Sequence, residues 1–356
     1  MRTFELPAGG ARERGRAHGE HYRSEIHAIA ALRAQLCIEQ GRFRTIEQVL
    51  ESARLHLPVL ERFDAPLHEE LLGVAEGAGL DAARIVVLNH YTDLKDLDPD
   101  AAIGEEDDCS AVVAGTVHGA VLGQTWDMHG SAAPFVTMLR VPASEDRPAA
   151  WTLSITGCLG MAGLNASGVG VTINNLRSLD ARLGVVWPAL VRRMLGEASA
   201  DRARQVLLRA PMSSGHHYLV ADRTEAFGIE TSGRKKEQVF HARFDESPNA
   251  SFVHTNHCVG VDVASVSTVS PTSTTKERYA WLSASLAGAP IRDRHDLWAR
   301  LGSHEGHPRG VCTHLASEAE PHAMLTCGGI VMDLEERALF GAAGCLHGVE
   351  PERFDL

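Results

Sequence analysis

The chain is predicted to be α+β, with helices gathered in its first hundred residues and an antiparallel sheet with inserted helices after them. Two observations predict this. Apolar residues recur at helical spacing up to about Leu94, and beyond it short strand-like runs alternate with turn residues. From Glu20 to Gln40, Tyr22, Ile26, Ile29, Leu32 and Leu36 mark one helical face, with Arg, Glu and Gln between them. A second helical pattern runs from Thr45 towards Phe63, where Pro58 lacks an N–H and kinks or divides it. A third runs from Pro66 to about Gly77 and stops on Gly-Ala-Gly; Ala83 to Leu94 forms a fourth. Residues 96–108 are acidic, carry Pro and Gly, and read as an exposed linker. Strands are expected at Ser110–Ala114, Ala120–Trp126, Phe135–Val141 and Trp151–Ile155, with glycine-punctuated strands over Gly163–Asn174. Helices around Val186–Gly196 and Asp201–Arg209 precede strands at Tyr218–Asp222, Ala226–Glu230 and Val239–Phe244. Helices at Thr274–Leu286 and Arg294–Leu301 lead to a closing hairpin of Ile330–Leu334 with Ala338–Phe340.

Bulk properties exclude several classes. The 356 residues, 44% of them hydrophobic, suffice for one large domain or two ordinary ones. A net charge of −12 is the wrong sign for tracking phosphates, so nucleic acid is not expected as a partner. The seven cysteines are odd in number and include no C-x-x-C pair. Neither a disulfide scaffold nor a thioredoxin-type site fits, and reduced thiols in a cytoplasm do. The first residues lack a secretory h-region, and no apolar run approaches a membrane span, so a cytoplasmic protein with no membrane partner is expected.

Familiar catalytic signatures are missing: there is no G-x-S-x-G elbow and no phosphate-binding G-x-x-x-x-G-K-[ST]. The glycines of Gly163–Val171 are expected to serve tight turns. His304-Glu-Gly-His307 falls one residue short of H-E-x-x-H, and Gly and Pro through 302–310 indicate a loop. Cys312 and His314 lie close by, and His216-His217 and His254/His257 add candidates, but no ligand set closes on a familiar pattern. A zinc hydrolase on His304, His307 and His314 is therefore an alternative, and the expectation is no metal and no cofactor.

Cys109 stands apart by its setting, between the acidic linker and the first strand-like run. A thiol there can attack the carbonyl of Asp108, shift the acyl link from nitrogen to sulfur, and let water free a new amino terminus. The freed α-amine, with a reference pKa of about 7.7–8.0, can act as base for the thiol of its own residue. The alternative is a buried strand-start cysteine with no chemistry. Composition alone favours that alternative.

An ordered set of blocks reverses the preference: Asp107-Asp-Cys-Ser-Ala, Gly123-Gln-Thr-Trp-Asp-Met128, Gly163-Leu-Asn-Ala-Ser-Gly-Val-Gly170, His254-Thr-Asn-His-Cys258, Ser303-His-Glu-Gly-His-Pro308 and Ile330-Val-Met-Asp-Leu334. Together they resemble the acyl-coenzyme A:6-aminopenicillanic acid acyltransferase family, which includes β-alanyl-amine hydrolases. The resemblance runs from about residue 104 to the end. It implies a four-layer αββα N-terminal nucleophile hydrolase sandwich, made as a precursor that cuts itself between Asp108 and Cys109. The products would be a helical leader, 1–108, and a catalytic chain, 109–356, held together as a heterodimer. Cys109 is then the nucleophile. Asp127 matches the family's aspartate, placed to hold the α-ammonium of Cys109 or the substrate amine. Asn256 matches the asparagine whose NH2 faces the oxyanion. Arg278 resembles an arginine of related cysteine amidases, where it would favour thiolate; as a helix-start residue beside Lys276 and Glu277 it could equally be solvated. Trp126, Met128 and His129 would line the substrate pocket, although Trp126 could equally be core.

One position departs from the pattern. Penicillin-forming members carry an arginine near Thr313 to meet the substrate carboxylate, and threonine makes no charged bidentate contact. The resulting expectation is a self-processing cysteine amidohydrolase or acyltransferase, with a small-molecule amide or acyl-thioester as substrate and hydrolysis favoured. Its alternatives are an acyl-CoA-dependent N-acyltransferase of the penicillin type and a catalytically silent binding protein on the same scaffold.

Overall fold

A computed structural model describes residues 1–41, 43–97 and 109–356; Asp108 and the linker from residue 98 lie outside the described residues. The amino-terminal segment forms β1 (Thr3–Glu5), α1 (Ala11–His21), α2 (Arg23–Glu39), α3 (Ile46–Arg54), α4 (Leu57–Phe63), α5 (Ala65–Ala78) and α6 (Ala82–Asp96). The expected helix division falls at Leu55–His56, and Pro58 sits in the first turn of α4, where its missing N–H costs nothing. Local chemistry sets the other ends. Asp64 caps α5 by accepting from Leu67 N, Asp81 caps α6 through Ala83 N, and Gly79 closes α5 in the left-handed region at φ 72°.

From Ala111 onward come β2 (Ala111–Thr116), β3 (Gly119–His129), β4 (Val136–Val141), β5 (Ala150–Ile155), β6 (Ala162–Asn165) and β7 (Gly170–Ser178). Then follow α7 (Trp187–Met194), α8 (Ala200–Arg209), β8 (Gly215–Ala221), β9 (Glu225–Thr231), β10 (Lys236–Arg243), β11 (Ser251–His254), α9 (Val261–Ala264) and β12 (Ser267–Thr268). The chain ends with α10 (Thr275–Gly288), α11 (Arg294–Leu301), β13 (Met324–Asp333), β14 (Ala338–Ala343) and β15 (Glu352–Asp355). Strands β11 and β15 and helix α1 were not anticipated; the strands are four residues each, and α1 has a strongly polar sequence. The glycine-rich block is a β6–β7 hairpin, its turn closed by Asn165 Oδ1 accepting from Ser167 N and Val169 N.

Two sheets result. The larger runs β1-β4-β5-β6-β7-β8-β9-β10, with β12 on β7; the smaller runs β11-β2-β3-β13-β14-β15. Every pairing is antiparallel except β1 with β4. The sheets face one another, α10 and α11 cover the smaller, and α6 and α8 cover the larger with α7 packed against both helices, giving the αββα order. Side-chain alternation shows the layering. Val112, Ala114, Val121 and Val331 point to Leu282, Leu297 and Leu301 of α10 and α11, while Ala111, Val113, Leu122, Ile330 and Met332 point between the sheets. These strands are buried on both faces and so read as unbroken apolar runs.

The amino-terminal segment is not purely helical, since β1 adds a strand to the larger sheet. It shares one core with the sheets and is tied to them by buried polar contacts. Gly157 N donates to His18 Nε2 (3.0 Å), Leu159 N donates to Asn89 Oδ1 (2.9 Å), and Arg192 Nη1 donates to Glu70 Oε1 (2.9 Å). Helices α1 and α5 approach backbone to backbone through Gly15, Gly19, Gly73 and Gly77. A Cβ on Gly77 would stand 2.1 Å from Arg16 O.

Candidate active site

Cys109 lies directly before β2, is 5% exposed, and meets groups from both sheets and from α10. Its backbone N–H donates to Asn256 Oδ1 at 2.8 Å. Its carbonyl accepts from Arg278 Nη1 (2.9 Å) and Asn174 Nδ2 (3.1 Å). The backbone of Cys109 is thus clamped on both sides by side chains drawn from β7, α10 and the residues following β11.

Arg278 is 1% exposed while Lys276 and Glu277 are exposed, so the helix start is solvated on one face and the arginine is not. The spacing Thr275, Arg278, Leu282 turns one stripe of α10 inward. Its fork also donates to Ser110 Oγ (2.8 Å) and Asn256 Oδ1 (3.0 Å), with Nε on Thr274 Oγ1 (2.9 Å). Delocalised charge and fixed geometry suit guanidinium to such a shared role.

Asn256 is held by its own N–H on Thr275 Oγ1 (2.7 Å). Its Oδ1 faces Cys109 and Arg278, and its Nδ2 donates to Asn175 O at 3.0 Å. The amide offers Cys109 and Arg278 its oxygen because the groups pointing at it, a backbone N–H and a guanidinium, are both donors, and its NH2 lies on the other branch.

Asp127 sits inside β3 with no exposure, not in a turn. Its carboxylate accepts from Thr125 Oγ1 (3.0 Å) and Thr326 Oγ1 (2.7 Å). Thr125 Oγ1 in turn accepts Ser110 N–H (3.1 Å), so a short hydroxyl relay joins Asp127 to the residue after Cys109. Thr313 is fully buried; its N–H donates to Thr326 Oγ1 (2.8 Å), and its hydroxyl donates to Gly310 O (2.8 Å).

Trp126 and Met128 join the main core, with Met128 Sδ accepting from Tyr91 OH. His129 Nδ1 meets Ser131 Oγ (2.7 Å), and its buried Nε2 has no hydrogen-bond partner among the described residues. Burial, then Arg33 and Lys95, depress its pKa far below the ordinary imidazole range.

Several contributors carried no motif. Asn174 is oriented by His217, whose Nδ1 lies 2.9 Å from Asn174 Oδ1. Burial and then His254 push the His217 imidazole well down, so it is neutral and its Nδ1–H donates. His254 stacks on His217 at 3.6 Å and meets Glu230 Oε1 at 2.8 Å. Buried asparagines on a strand whose neighbours are apolar, as in Ile173-Asn-Asn-Leu176, are the signal that could have found Asn174.

A second cluster lies in the 303–314 loop, which is formed of turns, as its Gly and Pro content predicted. His304, Cys312, His314 and Cys345 bring one ligand atom each to within 4.8 Å of one another. His307 remains beside the group, its ring 5.2 Å from those of His304 and His314. Among the described residues, no helix is long and apolar enough to cross a membrane.

Residues 115–288 match the family described as acyl-coenzyme A:6-aminopenicillanic acid acyl-transferase, a span that holds Asp127, Asn174, Asn256 and Arg278 and begins after Cys109. The chain is similar to the 40 kDa form of acyl-coenzyme A:6-aminopenicillanic-acid acyltransferase from Emericella nidulans, 24% identical over 85% of this chain and 82% of the relative. Among solved structures it is similar to penicillin V acylase from Agrobacterium tumefaciens (14% identity, 69% of this chain and 84% of that one, TM-score 0.41). It is also similar to a mutant of conjugated bile acid hydrolase from Clostridium perfringens (12% identity, 70% and 97%, TM-score 0.44).

Proposed function

We propose that the chain is a self-processing cysteine amidase of the acyl-coenzyme A:6-aminopenicillanic acid acyltransferase family, whose nucleophile is Cys109. The observation that carries this reading is the clamp on Cys109: Asn256 Oδ1 on its nitrogen, Arg278 and Asn174 on its carbonyl.

Processing begins when the Cys109 thiol adds to the carbonyl carbon of Asp108. Collapse breaks the C–N bond, the nitrogen takes the thiol proton, and a thioester joins the two segments. Water then cleaves the thioester, leaving Asp108 with a carboxylate and Cys109 with an α-amine and a thiol. The buried contacts of His18, Asn89 and Glu70 with the sheet region favour two fragments that stay together.

In turnover the α-amine takes the thiol proton as sulfur attacks a substrate amide. Asn256 Oδ1, already the acceptor for this nitrogen, orients its lone pair towards sulfur. The Asn256 NH2, one N–H of which is held by Asn175 O, has a second N–H to offer the oxyanion, a donor worth about 3 kcal/mol at such sites. The tetrahedral adduct expels the amine, which leaves with the proton held by the α-ammonium. Water, deprotonated by the same amine, resolves the acyl-Cys109 thioester to acid. Arg278 and the Thr125–Asp127 relay hold the frame, and Trp126, Met128 and His129 are assigned to the acyl or amine pocket.

Hydrolysis is favoured over transfer to a penicillin nucleus because Thr313 is buried with its hydroxyl turned to Gly310 O, offering no charge to a substrate carboxylate. The test is intact-mass analysis of freshly expressed protein. Two fragments, 1–108 and 109–356, are expected from the native sequence, and one chain from Cys109→Ala. A single unbroken chain from both, with no acyl adduct on Cys109 after N-acyl amines are supplied, would instead favour a silent binding protein.

A further inference from the structure

We propose that His304, Cys312, His314 and Cys345 form a structural zinc site, built from residues other than those that clamp Cys109. Two cysteines and two histidines from two stretches of chain, the 303–314 loop and the segment after β14, converge with their ligand atoms within 4.8 Å of one another. Individual edges are shorter: Cys312 Sγ to Cys345 Sγ is 3.6 Å, His304 Nε2 to Cys345 Sγ is 3.3 Å, and His314 Nε2 to Cys312 Sγ is 3.4 Å.

These three distances are close to the edges of a tetrahedral site. Zn–S bonds of about 2.3 Å and Zn–N bonds of about 2.0–2.1 Å at tetrahedral angles give sulfur–sulfur edges of about 3.8 Å and sulfur–nitrogen edges of about 3.6 Å. Soft thiolates with imidazoles select zinc over magnesium or calcium, which take oxygen. Binding releases both thiol protons, and the two thiolates balance the ion's charge. With four protein ligands no position is left for water, which marks a structural rather than a catalytic metal.

The surroundings are built accordingly. His347 stacks flat on His304 at 4.0 Å and is fixed by Gly302 O, 3.0 Å from its Nδ1. Cys312 N–H donates to Ser303 O, and His314 N–H donates to Pro308 O, so the loop closes on itself around the group. Cys345 comes from the stretch between β14 and β15, and a metal would staple that stretch to the 303–314 loop. Thr313 lies between two of the ligands, and its N–H supports Thr326, which in turn donates to Asp127. The site would therefore stiffen the backbone behind the Asp127 carboxylate.

The test uses the full-length chain and its Cys109→Ala form, purified without metal affinity resin and with reductant throughout. Elemental analysis is expected to give about one zinc per chain, unchanged in Cys109→Ala and at background in Cys312→Ser/Cys345→Ser. Exchange of the native-sequence protein with cobalt should produce intense thiolate-to-cobalt absorption, a readout that does not depend on whether the variant folds. Chains that carry no zinc and, offered zinc or cobalt, take up none with thiolate ligation would overturn the site. So would peptide mapping that finds Cys312 and Cys345 joined as a disulfide.

Discussion

His18 offers a direct measure of how firmly the amino-terminal segment is docked. The imidazole is 1% exposed on α1 and accepts the Gly157 N–H at 3.0 Å through Nε2, a bond only the neutral ring makes in this position. Burial pushes its pKa down to about 4, with Glu70 opposing and Arg192 and His21 reinforcing the shift. The sign follows. A depressed folded pKa means stability that is fully present above the ordinary histidine range and lost as the pH falls towards 4. The unfolded chain takes up the proton first, and linkage between an unfolded pKa of about 6.5 and a folded one of about 4 removes about 2 kcal/mol between pH 7 and pH 5. His18→Gln keeps an acceptor for Gly157 N–H and has no proton to take up. Urea unfolding followed by circular dichroism, in the Cys109→Ala chain so that the polypeptide stays whole, should show the His18→Gln form losing about 2 kcal/mol less than its parent over that range. An equal loss in both would refute the assignment of a buried neutral histidine at this junction.

Two further outcomes follow from close contacts. Gly77→Ala would place a methyl against Arg16 O and force α1 from α5, lowering stability by about 1–3 kcal/mol in the same unfolding assay, whereas Gly79→Asn, in a left-handed position with open space, should change it far less. Arg278→Lys replaces a fork that reaches Cys109 O, Ser110 Oγ and Asn256 Oδ1 with a point charge, and fragment appearance followed by mass spectrometry should slow by roughly tenfold or more.

The sequence by itself determined what depends on near neighbours. Apolar spacing placed α2 to α6, proline divided α3 from α4, and glycine marked the β6–β7 turn, because propensity and period act within a few residues. It also singled out Cys109, whose position between an acidic stretch and a strand is a local fact, and the order of short blocks pointed to the family.

Only the tertiary structure decided which groups meet. Arg278 read equally well as a thiolate-favouring group or as solvated like Lys276, until α10 turned one stripe inward. Asn174 became a partner of Cys109, and His217 of Asn174, through the stacking of two sheets and the pairing of β7 with β8. Cys345 joined Cys312 across 33 residues because β13 and β14 form a hairpin that carries its end back to the 303–314 loop. Contacts of that kind are set by long-range strand register and layer packing, to which each residue contributes no signal of its own. The reason is physical: a side chain's partners are fixed by where the backbone carries it, and that path is a property of the whole core.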